Sequence, residues 1–204
     1  LKRAPDDQKP IYYLGGPDLA SIRKNPSLEI FRRRGLEVLF LLDPIDEFVM
    51  SSLGKYSDRP LKSIDASDLE LPDSAKEEPT PQEESSAGGV GRVIELFRQA
   101  LGDRVQEVRE SKRLIDSPCC LVNADGALTT QMQRVLRMAN KDMPTVRRIF
   151  EVNPAAALIR RLASLSANPD HDAFIQDCAR QLWSNALALE GVIEEPESIV
   201  ARTQ

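Results

Sequence analysis

The residues of this chain that could carry chemistry are few and scattered. Gly15 and Gly16 follow a short apolar run, Ile11 to Leu14, and a glycine pair opening a helix can offer backbone N–H groups to a phosphate. The spaced glycines of a dinucleotide site and the Gly-Lys-Ser/Thr ending of a P-loop are both missing, so the pair reads as a tight turn. Cys119 and Cys120 sit in an apolar stretch, where cysteine behaves as a small buried hydrophobe; no activating base stands near them in sequence. His171 is the only histidine and precedes a helix, which suits a surface or capping role; a metal there would lack nitrogen ligands. Asp43, Asp46 and Glu47 cluster where a helix begins, a place that favours carboxylates, and an acid/base pair is the weaker alternative. Leu128, Met132, Val135, Leu136 and Ala139 share one helical face. That face is either ordinary core or, because methionine adapts to varied apolar partners, a binding surface.

The elements that must position these groups can be read in order. The strand Ile11–Leu14 leads into a helix after Pro17, broken at Asn25-Pro26, with Ser27 capping the next and Gly35 stopping it. Leu36 to Leu42 is a nearly continuous apolar run, as expected of a strand covered on both faces. Asp43-Pro44 opens a helix ending by Gly54, and Leu61 to Ile64 is a last short strand. Strands alternating with helices point to a compact α/β unit with a mainly parallel sheet. Leu71 to Gly91 is poor in apolar residues and rich in Glu, Pro, Ser and Gly, which marks a flexible domain boundary.

Beyond it, Val93, Ile94, Phe97 and Leu101 make a helical stripe closed by Gly102. Extended segments follow at Val105 to Val108, Arg113 to Ile115, Cys119 to Val122 and Val146 to Val152. Thr130 with Gln133 has the form of a capping box for the Met132 helix. Asn153-Pro154 begins a helix with Leu158, Ile159, Leu162 and Leu165 inward, and Pro196 begins a final one.

Between them lies the helix Asp172 to Leu189. Phe174, Ile175, Cys178, Ala179, Leu182, Trp183, Ala186, Leu187 and Leu189 cover more than half of its circumference, wider than the ~100° stripe that one packing partner requires. One flank is expected to pack on its own domain and the other on a second copy of the chain, an isologous contact.

The totals limit the function. The 204 residues suggest one large or two ordinary domains. The net charge of -5, with both signs interspersed, gives no stripe that would track nucleic acid. No apolar run approaches a membrane span, and three cysteines form neither a disulfide framework nor a zinc pattern, so a cytoplasmic location is expected. The opening LKRAPDDQKP and the ending IVARTQ suggest a piece of something longer.

The segments NPSLEIFRRRGLEVLFLLDPIDEF, RLIDSPCCLV, QMQRVLRMANKDMP, RRIFEVNPAAALIRRLA and LWSNALALEG, in that order, resemble the ninety-kilodalton heat-shock chaperone family of the bacterial HtpG type. The resemblance implies that residues 1–71 are the closing α/β part of a middle domain, 72–90 an acidic flexible linker, and 91–204 an α+β C-terminal domain ending in dimerisation helices. The family's ATP-binding domain, with ATP and magnesium, would lie upstream; this piece would hold no catalytic residue, cofactor or metal and would not itself be an enzyme. Its implied partners are a second copy and partly folded client proteins. By position, the client surface would use Glu47, Phe48, Ser51, Leu128, Met132, Val135 and Leu136, and the homodimer would use Leu182, Trp183, Ala186, Leu187 and Ile199. The family often has Trp at Phe48, Asn at Ser51, Met at Leu128 and Phe at Leu136, so the aromatic area is reduced here. The competing readings are a small nucleotide- or thiol-dependent enzyme and a dimerisation module without client binding.

Overall fold

A computed structural model describes residues 8–71, 87–124, 129, 132–133, 135–136 and 147–192. The chain divides into two compact units, Leu1–Ser74 with Val122–Val146, and Ala75–Leu121 with Arg147–Gln204. Both mix helices with small sheets, the first α/β as the patterning anticipated and the second α+β as the resemblance implied.

In the first unit β1 (Ile11–Gly15) pairs in parallel with β2 (Val38–Leu41) on one side and β4 (Arg59–Ser63) on the other, while β3 (Lys55–Tyr56) closes antiparallel on β4. Asp18 caps α1 (Leu19–Lys24) by accepting from the Ser21 amide at 2.9 Å. The cap at the next turn is Asn25, accepting from the Ser27 amide at 2.8 Å, and not Ser27 itself. After α2 (Glu29–Arg33), Gly35 takes a left-handed φ of 65° that permits the sharp exit towards β2. Tyr12, Leu14, Ile22, Leu28, Phe31 and Ile64 form the core, with the Tyr12 and Phe31 rings edge-on at 4.8 Å.

Two features depart from expectation. The apolar run before Asp43 is not covered on both faces: β2 lies at the sheet edge, and Leu39, Phe40 and Leu42 remain exposed. A continuous apolar run signals a strand but not its rank in the sheet. The β3–β4 hairpin was also unforeseen, because its turn is made by Ser57 and Asp58 at positive φ with no glycine between the strands.

The second unit contains α4 (Ala87–Leu101), β5 (Val105–Glu110), β6 (Cys119–Val122), β7 (Arg148–Val152), α5 (Ala157–Leu165) and α6 (Asp172–Leu189). Helix α4 starts at Ala87, ahead of the periodic stripe, and buries Val90 as well as Val93 and Phe97. The sheet order is β5-β7-β6, so β7 is central and all five of its residues are buried. Phe97, Phe150, Ile159, Leu162, Ile175, Ala179 and Trp183 lie in one core, where α4 packs on both α5 and α6.

Arg113 to Ile115 is not a strand. Its backbone amides at Arg113 and Leu114 are satisfied by the Ser111 hydroxyl at 3.2 Å, and Arg113 reaches Glu151 on β7 at 3.0 Å instead of joining a ladder. Glu151 is buried and is also held by Arg109 at 2.8 Å and by the Ser111 hydroxyl, which donates at 2.9 Å. Asn153 does not start a helix directly. Its amide donates to the carbonyls of Ile115 and Ser117 and its oxygen accepts from Ala155 N–H, so α5 begins only at Ala157, and Leu158 faces solvent.

Candidate functional site

The groups that suggested enzymatic chemistry are spent on packing. A Cβ added to Gly15 would lie 1.5 Å from Glu47 Oε1, and one on Gly16 would lie 2.4 Å from Ile22 Cγ1. Both glycines therefore permit close approach of side chains, and the turn does not fit a nucleotide phosphate. Cys119 is buried beside the Leu182 carbonyl, and burial pushes its thiol up to about 12, so the reactive thiolate does not form near neutrality. The Cys120 thiol contacts the Glu151 carboxylate at 3.9 Å in the same interior. His171 is half-buried at the end of a short 3₁₀ turn, Pro169–His171, and its side chain makes no capping bond to α6. Asp43 caps α3 (Pro44–Leu53) through the Ile45 amide at 3.0 Å, which accounts for that carboxylate structurally.

Glu47 is different. It is the buried residue of α3, 2% exposed, while Ile45, Val49 and Leu53 on the same helix are 50% exposed or more. Ile45, Val49 and Leu53 recur at i, i+4 and i+8, so they share one face; with Leu42 ahead of them they make an apolar stripe open to solvent. The helix thus turns a carboxyl inward and its aliphatics outward, the reverse of the usual amphipathic arrangement.

Inside, the Glu47 carboxyl meets the buried Thr129 hydroxyl, and Thr129 Oγ1 in turn accepts from Met132 N–H at 3.3 Å. Thr129 therefore caps the helical residues Met132, Gln133, Val135 and Leu136, the capping position lying one residue ahead of Thr130. Burial above all, and then the Asp65 carboxylate, pushes Glu47 up to about 8, against a smaller opposing effect of the Met132 N–H. Asp65 is itself fixed by Asn123, whose amide donates at 2.8 Å.

Of the residues placed on a client surface, Phe48 is half-buried, Ser51 exposed, Glu47 and Met132 buried, and Val135 and Leu136 half-buried. Leu128 lies outside the described residues. Glu47 and Met132 are thus brought together in the interior, and the solvent-facing apolar surface of α3 is the Ile45 stripe. Its i, i+4, i+8 spacing was visible in the sequence, but such a stripe ordinarily marks a core face.

Of the residues placed at a self-contact, Leu182, Trp183, Ala186 and Leu187 are each at most 7% exposed within the single chain. They line the second unit's own core, Trp183 packing edge-on against Phe150 with ring centres 6.1 Å apart. The flank of α6 left uncovered carries Phe174 and Leu189, with Cys178 half-buried between them. Ile199 lies outside the described residues.

The family model described as Hsp90 protein matches residues 1–204. Among curated relatives, the Chaperone protein HtpG of Nitratidesulfovibrio vulgaris is 39% identical over 206 residues, covering 98% of this chain and 32% of the relative. The Chaperone protein HtpG of Chlorobaculum tepidum is 40% identical over 203 residues, 98% of this chain and 32% of that one. That of Burkholderia lata is 37% identical over 204 residues, 100% of this chain and 31% of the relative. The chain spans about a third of the length of the curated relatives it matches.

Proposed function

The chain belongs to the Hsp90 protein family, and from that premise we propose that it is the part of a molecular chaperone that holds partly folded clients and pairs two copies of the polypeptide. The observation that carries the client role is the outward apolar face of α3, with Leu42, Ile45, Val49 and Leu53 all exposed around an inward-turned Glu47. Contiguous exposed apolar surface marks a binding site, and a shallow aliphatic stripe suits varied unfolded segments better than one shaped ligand. Phe48, Val135 and Leu136, each half-buried, are the resemblance-derived residues available to extend it.

For self-pairing, the exposed Phe174 and Leu189 flank of α6 supports the reading, because the helix's other apolar residues are already committed to the core. In the whole protein we assign ATP and magnesium to the family's ATP-binding domain, as the resemblance implies; the Gly15-Gly16 turn of this chain is filled by Glu47 and Ile22. Nucleotide-driven closure can act on clients only if they bind the open and closed states with different affinity. No helix among the described residues is long and apolar enough to cross a membrane, and a cytoplasmic setting is proposed with the chaperone role.

The test is binding of a fluorescently labelled, permanently unfolded polypeptide to the 204-residue chain. Ile45→Asp with Val49→Asp should weaken binding about tenfold or more, since losing two buried aliphatic contacts costs upwards of ~1.4 kcal/mol. Unchanged affinity in the folded variant would overturn the client reading and leave a pairing module.

A further inference from the structure

Strand β2 is an edge of its sheet, and the direction of its backbone groups can be read from its ends. The Leu41 carbonyl accepts from Gly16 N–H at 3.1 Å. At the other end the Glu37 amide donates to Gln8 Oε1 at 2.8 Å, and the Glu37 carbonyl accepts from Gln8 Nε2 at 2.9 Å. Successive residues of a strand turn their N–H and C=O groups to opposite sides. Glu37, Leu39 and Leu41 therefore spend theirs on the β1 side, and those of Val38 and Phe40 point outward, without a partner among the described residues. We propose that an extended apolar segment of a partly folded client adds to this edge as a further strand, hydrogen-bonding through its own main chain to Val38 and Phe40. The proposal rests on the client reading above and names the form in which the client is held.

The edge fits that occupant. Its free donors and acceptors recur at every second residue, a spacing that another extended chain matches. A helix cannot, because its backbone groups are bonded internally. Leu39 and Phe40 are 49% and 36% exposed and lie on opposite faces of the sheet, so an added strand meets an apolar neighbour on each side. Leu41 is in register with Gly15, where a Cβ would point into Glu47 of α3, so Leu41 and Leu39 share the face on which α3 packs. Leu42 then leads from the edge into the exposed stripe of that helix.

Native sheets guard their edges with charges, prolines, bulges or very short strands. The opposite edge does so: β3 is two residues long and begins with Lys55. The stretch Val38–Leu41 has no charge and no proline, and it pairs with β1 without a bulge. Main-chain hydrogen bonds carry affinity whatever the partner's side chains are, which suits a site that must hold many sequences.

The experiment uses the 204-residue chain and the labelled unfolded polypeptide of the binding test. Amide hydrogen exchange is followed by nuclear magnetic resonance along β2. In the free chain Leu39 and Leu41 should be protected while Val38 and Phe40 exchange fast. Saturating polypeptide should slow Val38 and Phe40 by about tenfold or more and leave the other two unchanged. Two variants separate backbone from side chain: Phe40→Val keeps the outward N–H, and Phe40→Pro removes it at an edge position where proline is tolerated. Protection of Leu39 and Leu41 verifies that β2 is intact in each. Phe40→Pro should bind the polypeptide about tenfold more weakly than Phe40→Val, the effect of one lost hydrogen bond.

Bound polypeptide that leaves Val38 and Phe40 exchanging as in the free chain overturns the proposal, whether or not the proline variant folds. If Ile45→Asp with Val49→Asp still weakens that binding, the client reading survives and only the added strand is lost. Equal affinity of the two folded Phe40 variants also refutes the strand. Protection of Val38 and Phe40 that grows with chain concentration, without polypeptide, would give the edge to a second copy and overturn it too. A wild-type chain that binds no polypeptide removes both readings together.

Discussion

The decisive residue for the second unit is Trp183, because an interface role and a core role predict opposite results for it. It is 5% exposed within one chain and packs edge-on against Phe150 of the central strand. Trp183→Ala removes a large buried aromatic whose loss costs ~3–5 kcal/mol through transfer and cavity terms together. Part of that is the aromatic pair, worth about 1 kcal/mol beyond area. A domain has ~5–15 kcal/mol in hand, so the variant should lose a large share of its stability. Trp183 Nε1 has no hydrogen-bond partner among the described residues. Trp183→Phe therefore removes a buried unpaired N–H along with some volume, and should cost only about 1 kcal/mol. The assay is urea unfolding followed by far-ultraviolet circular dichroism at two protein concentrations tenfold apart, with sedimentation on the same samples. The core reading requires a lower midpoint for Trp183→Ala at both concentrations. An unchanged midpoint with a fall in mass from dimer to monomer would refute it and return Trp183 to an interface.

The remaining expectations can be checked with the same material. Phe174→Asp with Leu189→Asp should abolish self-association in sedimentation while moving the unfolding midpoint little, because both side chains are exposed in the single chain. Glu151→Gln should destabilise the second unit by ~3–5 kcal/mol in urea unfolding, since Arg109 and the buried Arg113 both lose the carboxylate charge that they share. Glu151→Gln combined with Arg113→Met should recover part of that loss, because the buried guanidinium that lost the carboxylate is replaced by an apolar side chain.

The parts of this fold that were legible in the sequence are those set by local rules. Asp43-Pro44 and Gly54 bracket α3, Gly35 and Gly102 take positive φ where stops were expected, and α6 runs from Asp172 to Leu189 as its pattern indicated. What was misread depended on partners distant in the chain. Nothing local shows that β2 is an edge strand, or that Arg113 leaves the ladder to meet Glu151 38 positions away. The same blindness applies to α3. Its aliphatics at positions 45, 49 and 53 have the spacing of a core face, and only the closed surroundings of Gly15 and Thr129 show that Glu47 takes the inside. The wide apolar arc of α6 was read as divided between its own domain and a second copy, whereas α4, α5 and the sheet absorb most of it.

The placing of β7 between β5 and β6 has a consequence for how the polypeptide emerges from the ribosome. The middle strand of that sheet is the last of the three to be made, and at ~5–20 residues per second the stretch from Cys119 to Val152 takes a few seconds to synthesise. Throughout that interval β5 and β6 are without the strand that separates them, and Glu151 has yet to arrive between Arg109 and Arg113. The nascent chain thus passes through a stage of unpaired strand edges, before Arg109 and Arg113 meet the buried carboxylate that they share, which makes this portion of the polypeptide a candidate for assistance during its own birth.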